Sequence, residues 1–173
     1  MIRRMGSHGY RILYKSKCAF TGEEVITTLP PDSPHKIYRQ DIWWSDKWNP
    51  KDYGREYNFS RSFFEQWAEL FHAIPLPALY TEYSTMINSP YCNAAGRNKN
   101  CYLCFKCDEA EDSAYLNTVT KMKNCFDVSF SNFCELCYES VNANRCYRAF
   151  FSQDVEDSYD VWFSRDLSGC SNC

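Results

Sequence analysis

The chain has 173 residues, of which 19 are lysine or arginine and 22 are aspartate or glutamate, so the formal net charge is -3. A chain of this length can bury a core as one domain or two small ones without disulfide support. The negative charge excludes the basic field that attracts nucleic acid through counterion release, so nucleic acid is disfavoured as a partner.

The N-terminal stretch MIRRMGSHGYRILYKSKC lacks the apolar segment of a secretion signal. No run of about 18 apolar residues follows that could cross a membrane. The chain has 11 cysteines, an odd number, which does not fit a secreted disulfide framework. We therefore expect a cytoplasmic protein with reduced thiols and no membrane partner.

Composition divides the chain near residue 80. Only Cys18 precedes that point, and the other ten cysteines follow it. We expect a first domain over residues 1–80 and a second over residues 81–173. In the first domain, RILYKS and EEVITTL predict two short strands around a turn at AFTG, and KIYRQDIWW predicts a third strand or the entry to a turn.

One amphipathic helix is predicted at about residues 61–74, within NFSRSFFEQWAELFHAIP. Ser62 and Glu65 have the spacing of a capping box, and Pro75 ends the helix. The apolar face favours packing against the neighbouring domain over an exposed ligand groove, and the first domain is expected to cap the second. This face contains Phe63, Trp67, Leu70, Phe71 and Ile74.

The second domain has a period of three. In MKNCFDVSFSNFCELCYES, residues 122–140, and outward from it in both directions, every third residue from Met86 to Cys173 is small or apolar except Asn98. All ten later cysteines fall in this frame. A helix repeats about every 3.6 residues and a strand about every 2, so neither explains the pattern. We interpret the frame as the side chains that point into a narrow interior.

This pattern resembles the small right-handed β-helix of insect antifreeze proteins. The predicted fold class is therefore mainly β, a right-handed parallel β-helix with about 12 residues per coil and about seven coils, cut in mid-repeat at GCSNC. A small N-terminal degenerate zinc-ribbon-like module and one amphipathic helix precede it. A short signature of a polar residue, Cys or Ser, and an aromatic residue recurs along the chain, as NCY at 100, NCF at 124, RCY at 145 and DSY at 157. It follows steps of 12 except for a step of 9 from Cys137 to Cys146, which leaves the coil register open there.

The segments IWWSDKW, DYGREYNFSRSFFEQW and SFSNFCELCYESVNANRCYRAFFSQD resemble an uncharacterised family of bacterial proteins known mainly from metagenomic sequence, over residues 10–173. Its members have a zinc-ribbon-like module before Cys/Tyr-rich repeats. The positions that match the four zinc ligands are Cys18, Thr21, Arg39 and Ile42. A closed zinc site takes about four N, S or O ligands, so the resemblance implies a ribbon that has lost its metal.

The CxxC spacings allow three interpretations: interior packing, a metal site, or redox chemistry. A period of three generates CxxC automatically, so packing is favoured, and we expect no metal and no cofactor. If a metal were bound, the ligands would come from Cys101, Cys104, Cys107, Cys134 and Cys137.

When the second domain is divided into units of twelve residues, one outward position forms a column of mostly aromatic side chains. This column is the strongest functional feature. The three histidines lie in no nucleophile motif, so we predict no catalytic residue and an enzyme is disfavoured. We expect a non-enzymatic interaction or scaffold module that binds a protein or other macromolecular partner. A metal-binding or redox protein that uses the CxxC positions, and an enzyme of unknown reaction, are the alternatives. The predicted partner-binding residues are Tyr102, Phe126, Tyr138, Phe150 and Trp162, with Tyr147, Phe151, Tyr159 and Phe163 as neighbours.

Overall fold

A computed structural model describes residues 11–130, 135–142, 144–154, 156–157, 159–166, 168–169 and 171–172. Within these ranges it has eight β-strands in three sheets, two α-helices and two short 3-10 helices, Pro50–Tyr53 and Tyr83–Thr85. The chain separates into two compact units, Met1–Leu79 and Tyr80–Cys173, here called the N-terminal and C-terminal units.

The N-terminal unit begins with an antiparallel hairpin of β1 (Tyr14–Lys17) and β2 (Glu24–Thr27). Alternation of exposed and buried side chains along β2 supplies one face to the core. Gly22 adopts a φ of 77° in the connecting turn, a left-handed conformation that glycine enters without steric cost. The predicted pair of strands is confirmed.

A second small sheet pairs β3 (Ile37–Tyr38) with β4 (Leu76–Pro77) in parallel. The helix α1 (Gln40–Trp43) follows β3 directly, so KIYRQDIWW is a two-residue strand and then one helical turn. The buried cluster of this unit is small and contains Cys18, Val25, Ile37 and Ala78.

The longer helix, α2, spans Phe63–Ala73 and confirms the helix predicted at about residues 61–74. The predicted capping box is wrong, because Ser62 is the N-cap residue but its side chain makes no capping hydrogen bond. The Gln66 side-chain amide instead donates to the carbonyl oxygens of Asn58, Arg61 and Ser62. No residue of α2 is buried, and the prediction that its apolar stripe packs against the neighbouring domain stays a prediction.

The C-terminal unit contains a four-stranded parallel sheet in the order β5-β6-β7-β8. Its strands are β5 (Phe105–Asp108), β6 (Asn117–Thr120), β7 (Phe126–Ser129) and β8 (Tyr138–Val141). Each strand pairs with residues twelve positions later, as Phe105 does with Asn117. Isolated parallel bridges outside the strands keep the same spacing, for example Tyr147 with Tyr159, except that Thr81 pairs with Ala95.

The backbone of this unit turns left-handed at every third described residue from Ala94 to Asn172. For an L-amino acid this conformation costs about 1–2 kcal/mol, and only one of these positions, Gly169, is a glycine. A left-handed residue bends the chain, so straight extended segments stay short. No strand among the described residues exceeds four residues.

The predicted fold class, a right-handed parallel β-helix, is therefore wrong. The described residues form a small mixed α/β structure, with short strands in separate sheets of two, two and four strands and with two helices. The period of three predicted which side chains point inward, but it carried no information on whether extended segments join into one continuous sheet. A left-handed residue stands at the second position of each strand of this unit, so the straight extended segments are very short, and outside the strands the pairing is reduced to single bridges.

The inward frame itself is observed. Every third residue from Ser89 to Val128 is buried, and the frame continues through Cys137, Ser140, Cys146, Ala149, Ser152 and Val161. These side chains form the core of the C-terminal unit. The twelve-residue pairing stacks them in columns, so each buried side chain lies next to the one twelve positions away.

Thr118 offers a test of the left-handed backbone. It has a φ of 57° and is exposed, and a β-branched residue is strained in this region whereas asparagine tolerates it. We expect Thr118→Asn to stabilise the protein by about 1 kcal/mol, which raises the midpoint of thermal unfolding by about 2–4 °C. Thr120→Asn, in the same strand but without a positive φ, is the control and should give no gain.

Candidate functional site: the aromatic face

The pairing register places the predicted aromatic residues in one column. Tyr102 pairs with Ala114, Ala114 with Phe126, and Phe126 with Tyr138. The column continues from Tyr138 to Phe150 and from Phe150 to Trp162. All five predicted partner-binding residues are thus brought together, and the register between residues 138 and 150 has a step of 12 and not 9.

Rings of this column and rings beside it touch from Tyr91 to Phe163, and Phe150 contacts Trp162. We call this set of rings the aromatic face. Tyr147 and Tyr159 contact each other in the neighbouring column, which continues from Glu135. The ring-centroid distances are 5.4 Å for Tyr91–Tyr102, 5.7 Å for Tyr102–Tyr115, 5.0 Å for Tyr115–Phe126, 6.0 Å for Phe126–Tyr138, 5.3 Å for Tyr138–Phe151, 5.1 Å for Phe151–Phe163, 4.4 Å for Phe150–Trp162 and 5.2 Å for Tyr147–Tyr159.

Two members of the aromatic face were missed by sequence reasoning. Tyr91 follows Pro90, the position twelve residues before Tyr102, and Tyr115 follows Ala114. Tyr115 bridges the gap that the small Ala114 side chain leaves between the rings of Tyr102 and Phe126. In the sequence, a small residue stands at the aromatic position of this column and a tyrosine follows it directly, and this pattern could have identified Tyr115.

The rings at the 150–163 end stack with nearly parallel planes. The interplanar angle is 17° for Phe150 and Trp162 and 2° for Phe151 and Phe163. Stacking covers ring faces and leaves ring edges at the surface. Trp162 is 49% exposed and Phe163 is 75% exposed, so this end offers the largest apolar surface of the aromatic face.

Charged and polar columns flank the aromatic face, and their side chains bind one another. Lys99 contacts Glu111 at 2.8 Å, and Lys123 contacts the same carboxylate at 3.3 Å. Hydrogen bonds from Lys99 and Lys123 lower the pKa of Glu111. Asn100 likewise donates to Asp112 at 2.8 Å. These columns therefore resemble internal ladders more than a site for an external charged ligand.

The candidate metal-ligating cysteines are buried. Cys101, Cys104, Cys107 and Cys137 are at most 2% exposed and are thiols, and Cys134 lies outside the described residues. Hydrogen bonding with the Cys101, Cys107 and Cys92 thiols, together with burial, raises the pKa of Cys104. A protonated thiol is neither a nucleophile nor a metal ligand, but this applies to Cys104 only, because the hydrogen bond with Cys104 lowers the pKa of Cys101. Across the described parts of the chain, no group of three His, Cys, Asp or Glu side chains is arranged to hold a metal ion.

The inward cysteines also form hydrogen bonds, which the packing interpretation did not include. The Sγ atom of Cys101 donates to the Lys99 carbonyl at 3.3 Å, and that of Cys107 donates to the Phe105 carbonyl at 3.2 Å. Ser113 makes the equivalent bond through Oγ, to Glu111 at 2.6 Å. Cysteine and serine can therefore replace one another in the frame, because each donates to the carbonyl two residues earlier.

Polar inward side chains also accept a buried backbone N–H group. The amide of Cys101 donates to Ser89 Oγ at 2.9 Å, and the amide of Cys125 donates to Ser113 Oγ at 3.1 Å. In each case the donor lies twelve residues after the acceptor. A buried backbone N–H group without a partner is costly, so these side chains stabilise the interior.

Ser113 tests this role. We expect Ser113→Ala to cost about 1–3 kcal/mol of unfolding free energy, because the Cys125 N–H group loses its acceptor in the interior. Ser113→Cys keeps a donor and an acceptor at the same place and should cost less than about 1 kcal/mol. Urea unfolding measures both. Equal losses in the two variants would show that the hydrogen bonds contribute nothing.

Of the four positions matched to zinc ligands, Thr21 and Arg39 donate hydrogen bonds to the buried thiol of a third, Cys18. The Arg39 N–H group donates to Cys18 Sγ at 3.3 Å, and Cys18 is 1% exposed. Burial raises the pKa of Cys18, but hydrogen bonds from the Thr21 side chain and from the backbone of Arg39, Thr21 and Phe20 outweigh it and lower the pKa overall. Thr21, Arg39 and Ile42 supply no thiolate or imidazole, so N–H and O–H donors surround the sulfur where a zinc ribbon would have ligands.

None of the helices in the described ranges has both the length and the apolar character needed to span a membrane. The resemblance to a bacterial family with a zinc-ribbon-like module stays a prediction from the sequence. No family model, no curated protein and no solved structure matches the chain.

Proposed function

We propose that the protein is a non-enzymatic interaction or scaffold module whose aromatic face binds an apolar segment of a protein partner. The observation that carries the proposal is the unbroken series of ring contacts from Tyr91 to Phe163 along the surface of the C-terminal unit. Tyrosine, tryptophan and phenylalanine are enriched in protein interfaces, where they supply large contact areas with few rotatable bonds.

The exposed area supports this proposal. Phe151, Trp162 and Phe163 are 45%, 49% and 75% exposed. If an aromatic side chain has roughly 200 Å² of surface, these three offer about 340 Å². An apolar patch of that size on a monomer is typical of an interaction site.

Ring orientation favours a protein over a glycan or a nucleobase. Sugars and bases stack on ring faces, but in the stacked pairs Phe150–Trp162 and Phe151–Phe163 each ring turns one of its two faces toward its partner, which leaves fewer faces for such a ligand. Exposed ring edges form a ridged apolar surface that suits aliphatic side chains. The net charge of -3 also disfavours a nucleic acid.

Selection from a random peptide library tests the proposal without knowledge of the natural partner. Peptides would be selected on the wild-type protein and measured by fluorescence anisotropy against Phe163→Glu and Phe151→Glu. We expect apolar peptides whose affinity falls at least about tenfold in both variants, since a carboxylate in an apolar contact is poorly solvated.

The matched control is Phe64→Glu in the N-terminal unit, because Phe64 and Phe163 are each 75% exposed. This variant should bind the selected peptides as the wild type does. The proposal fails if no peptide depends on residues 151 and 163. It also fails if a soluble oligosaccharide or a single-stranded oligonucleotide binds the aromatic face more tightly than any peptide does.

A further inference from the structure

A second apolar surface lies on α2 and involves no ring of the aromatic face. Phe64 is 75% exposed, Trp67 is 52% exposed and Phe71 is 36% exposed, and the rings of Trp67 and Phe71 stack at 5.1 Å. These side chains follow one another at helical spacing, so they form one face of α2. Tryptophan and phenylalanine on a solvent-facing helix mark an interaction surface more often than a solvated one.

The size of this surface suits a dimer. Tyr57, Phe59 and Phe63 lie next to the helical face in sequence and are 47%, 92% and 56% exposed. At roughly 200 Å² per aromatic side chain, the six rings expose about 700 Å². One partner in a protein complex of standard size buries about 800 Å². The α2 surface therefore approaches one half of such an interface.

We propose that α2 packs antiparallel against α2 of a second copy of this chain. Residues 64 and 71 are placed symmetrically about the midpoint between Trp67 and Ala68. A twofold axis at that midpoint brings Phe64 opposite Phe71 of the second copy and Trp67 opposite Ala68 of the second copy. A large side chain then faces a small one, which lets the two helices approach closely.

The charges of α2 agree with this arrangement. The first turn carries Glu65 and the last turn carries His72. Antiparallel packing places the Glu65 turn of each copy beside the C-terminal turn of the other, and it also aligns the helix dipoles favourably. An anionic lipid surface is a poorer occupant, because interfacial helices carry Lys and Arg beside their apolar face, and α2 carries Glu65 and Glu69 instead.

Sedimentation equilibrium of the full chain tests the pairing. We expect the wild type to pass from monomer to dimer with a dissociation constant of about 1–100 µM. Phe64→Glu should weaken the dimer at least about 30-fold, because two carboxylates would enter the apolar contact. Phe163→Glu is the matched control with the same exposure, and it should leave dimerisation unchanged. Circular dichroism checks that both variants fold.

A mixture of two variants tests the antiparallel register. Phe64→Glu and Phe71→Lys should each be monomeric, and equal amounts of both should form a heterodimer, since one new ion pair and one native Phe–Phe contact result. The proposal is overturned if the wild type is monomeric at every concentration, or if the mixture stays monomeric. It is also overturned if Phe64→Glu lowers the unfolding temperature of a wild type that is monomeric, since the face would then be covered within one chain.

Discussion

Ala149→Glu should unfold the C-terminal unit. The side chain of Ala149 is fully buried in the core of this unit, where a carboxylate would find neither water nor a cation. An unpaired charge in such a place costs several kcal/mol, and a further penalty comes from the extra volume. A domain has only about 5–15 kcal/mol of stability, so this change removes most of it or all of it. Loss of the urea unfolding transition would be the result.

The control is the same residue introduced at an outward position. Lys123→Glu removes the 3.3 Å ion pair with Glu111 and places a carboxylate between Glu111 and Glu135, and these exposed changes together cost on the order of 1 kcal/mol. It should therefore keep a cooperative transition at a urea concentration near that of the wild type. If both variants unfold to the same extent, the period of three does not separate buried from exposed positions.

Asn98→Leu should cost about 2–4 kcal/mol, although leucine has the same branched shape as asparagine and is more apolar. Asn98 is fully buried, its Oδ1 accepts the N–H of Ala110 at 2.9 Å, and its Nδ2 donates to the Cys107 carbonyl at 3.4 Å. Leucine removes both hydrogen bonds and leaves two buried backbone groups with fewer partners. The urea midpoint should fall while the slope of the transition is unchanged.

Met122→Leu separates hydrogen bonding from packing. Met122 is 1% exposed in the same interior, and a substitution that conserves volume there should cost less than about 1.5 kcal/mol. If Asn98→Leu were as stable as Met122→Leu, the hydrogen bonds of Asn98 would have no net value. Asn98 would then be a tolerated exception to the pattern and not a stabilising part of it.

The parts of the fold that were predicted correctly depend on side-chain chemistry over short distances. The hairpin followed from alternating residues around Gly22, and α2 followed from helical spacing that ends before Pro75. The buried frame followed from polarity alone, because a side chain either faces water or does not. Even Asn98, the exception in the pattern, lies in the interior.

The fold class was not predicted correctly, because polarity carries no information on backbone handedness. Leu103, Phe130 and Phe151 are left-handed, yet nothing in these residue types favours that conformation. Neighbouring repeats impose it through pairing, and this constraint is visible only in three dimensions. The same limit applies to α2, since an amphipathic pattern shows that an apolar face exists and does not show what covers it.

The candidate site was predicted in its main column and missed at its edges. Counting by twelve found Tyr102, Phe126 and Trp162, because one column follows directly from the register. Tyr115 reaches the same surface from an adjacent column, and a left-handed backbone at that residue directs its ring toward its neighbours. Side chains that cross between columns cannot be found by a count along the chain.

The constant twelve-residue register has a consequence for how this gene can change. An in-frame duplication or loss of twelve codons would return every later residue to an equivalent place, since Phe105 and Asn117 already occupy such places. A gain of three codons would keep inward residues inward but would shift each aromatic ring to a different column. A gain of one codon would turn the buried frame to the surface. Natural variants of this unit should therefore differ in length by whole repeats, with the aromatic column lengthening or shortening in step.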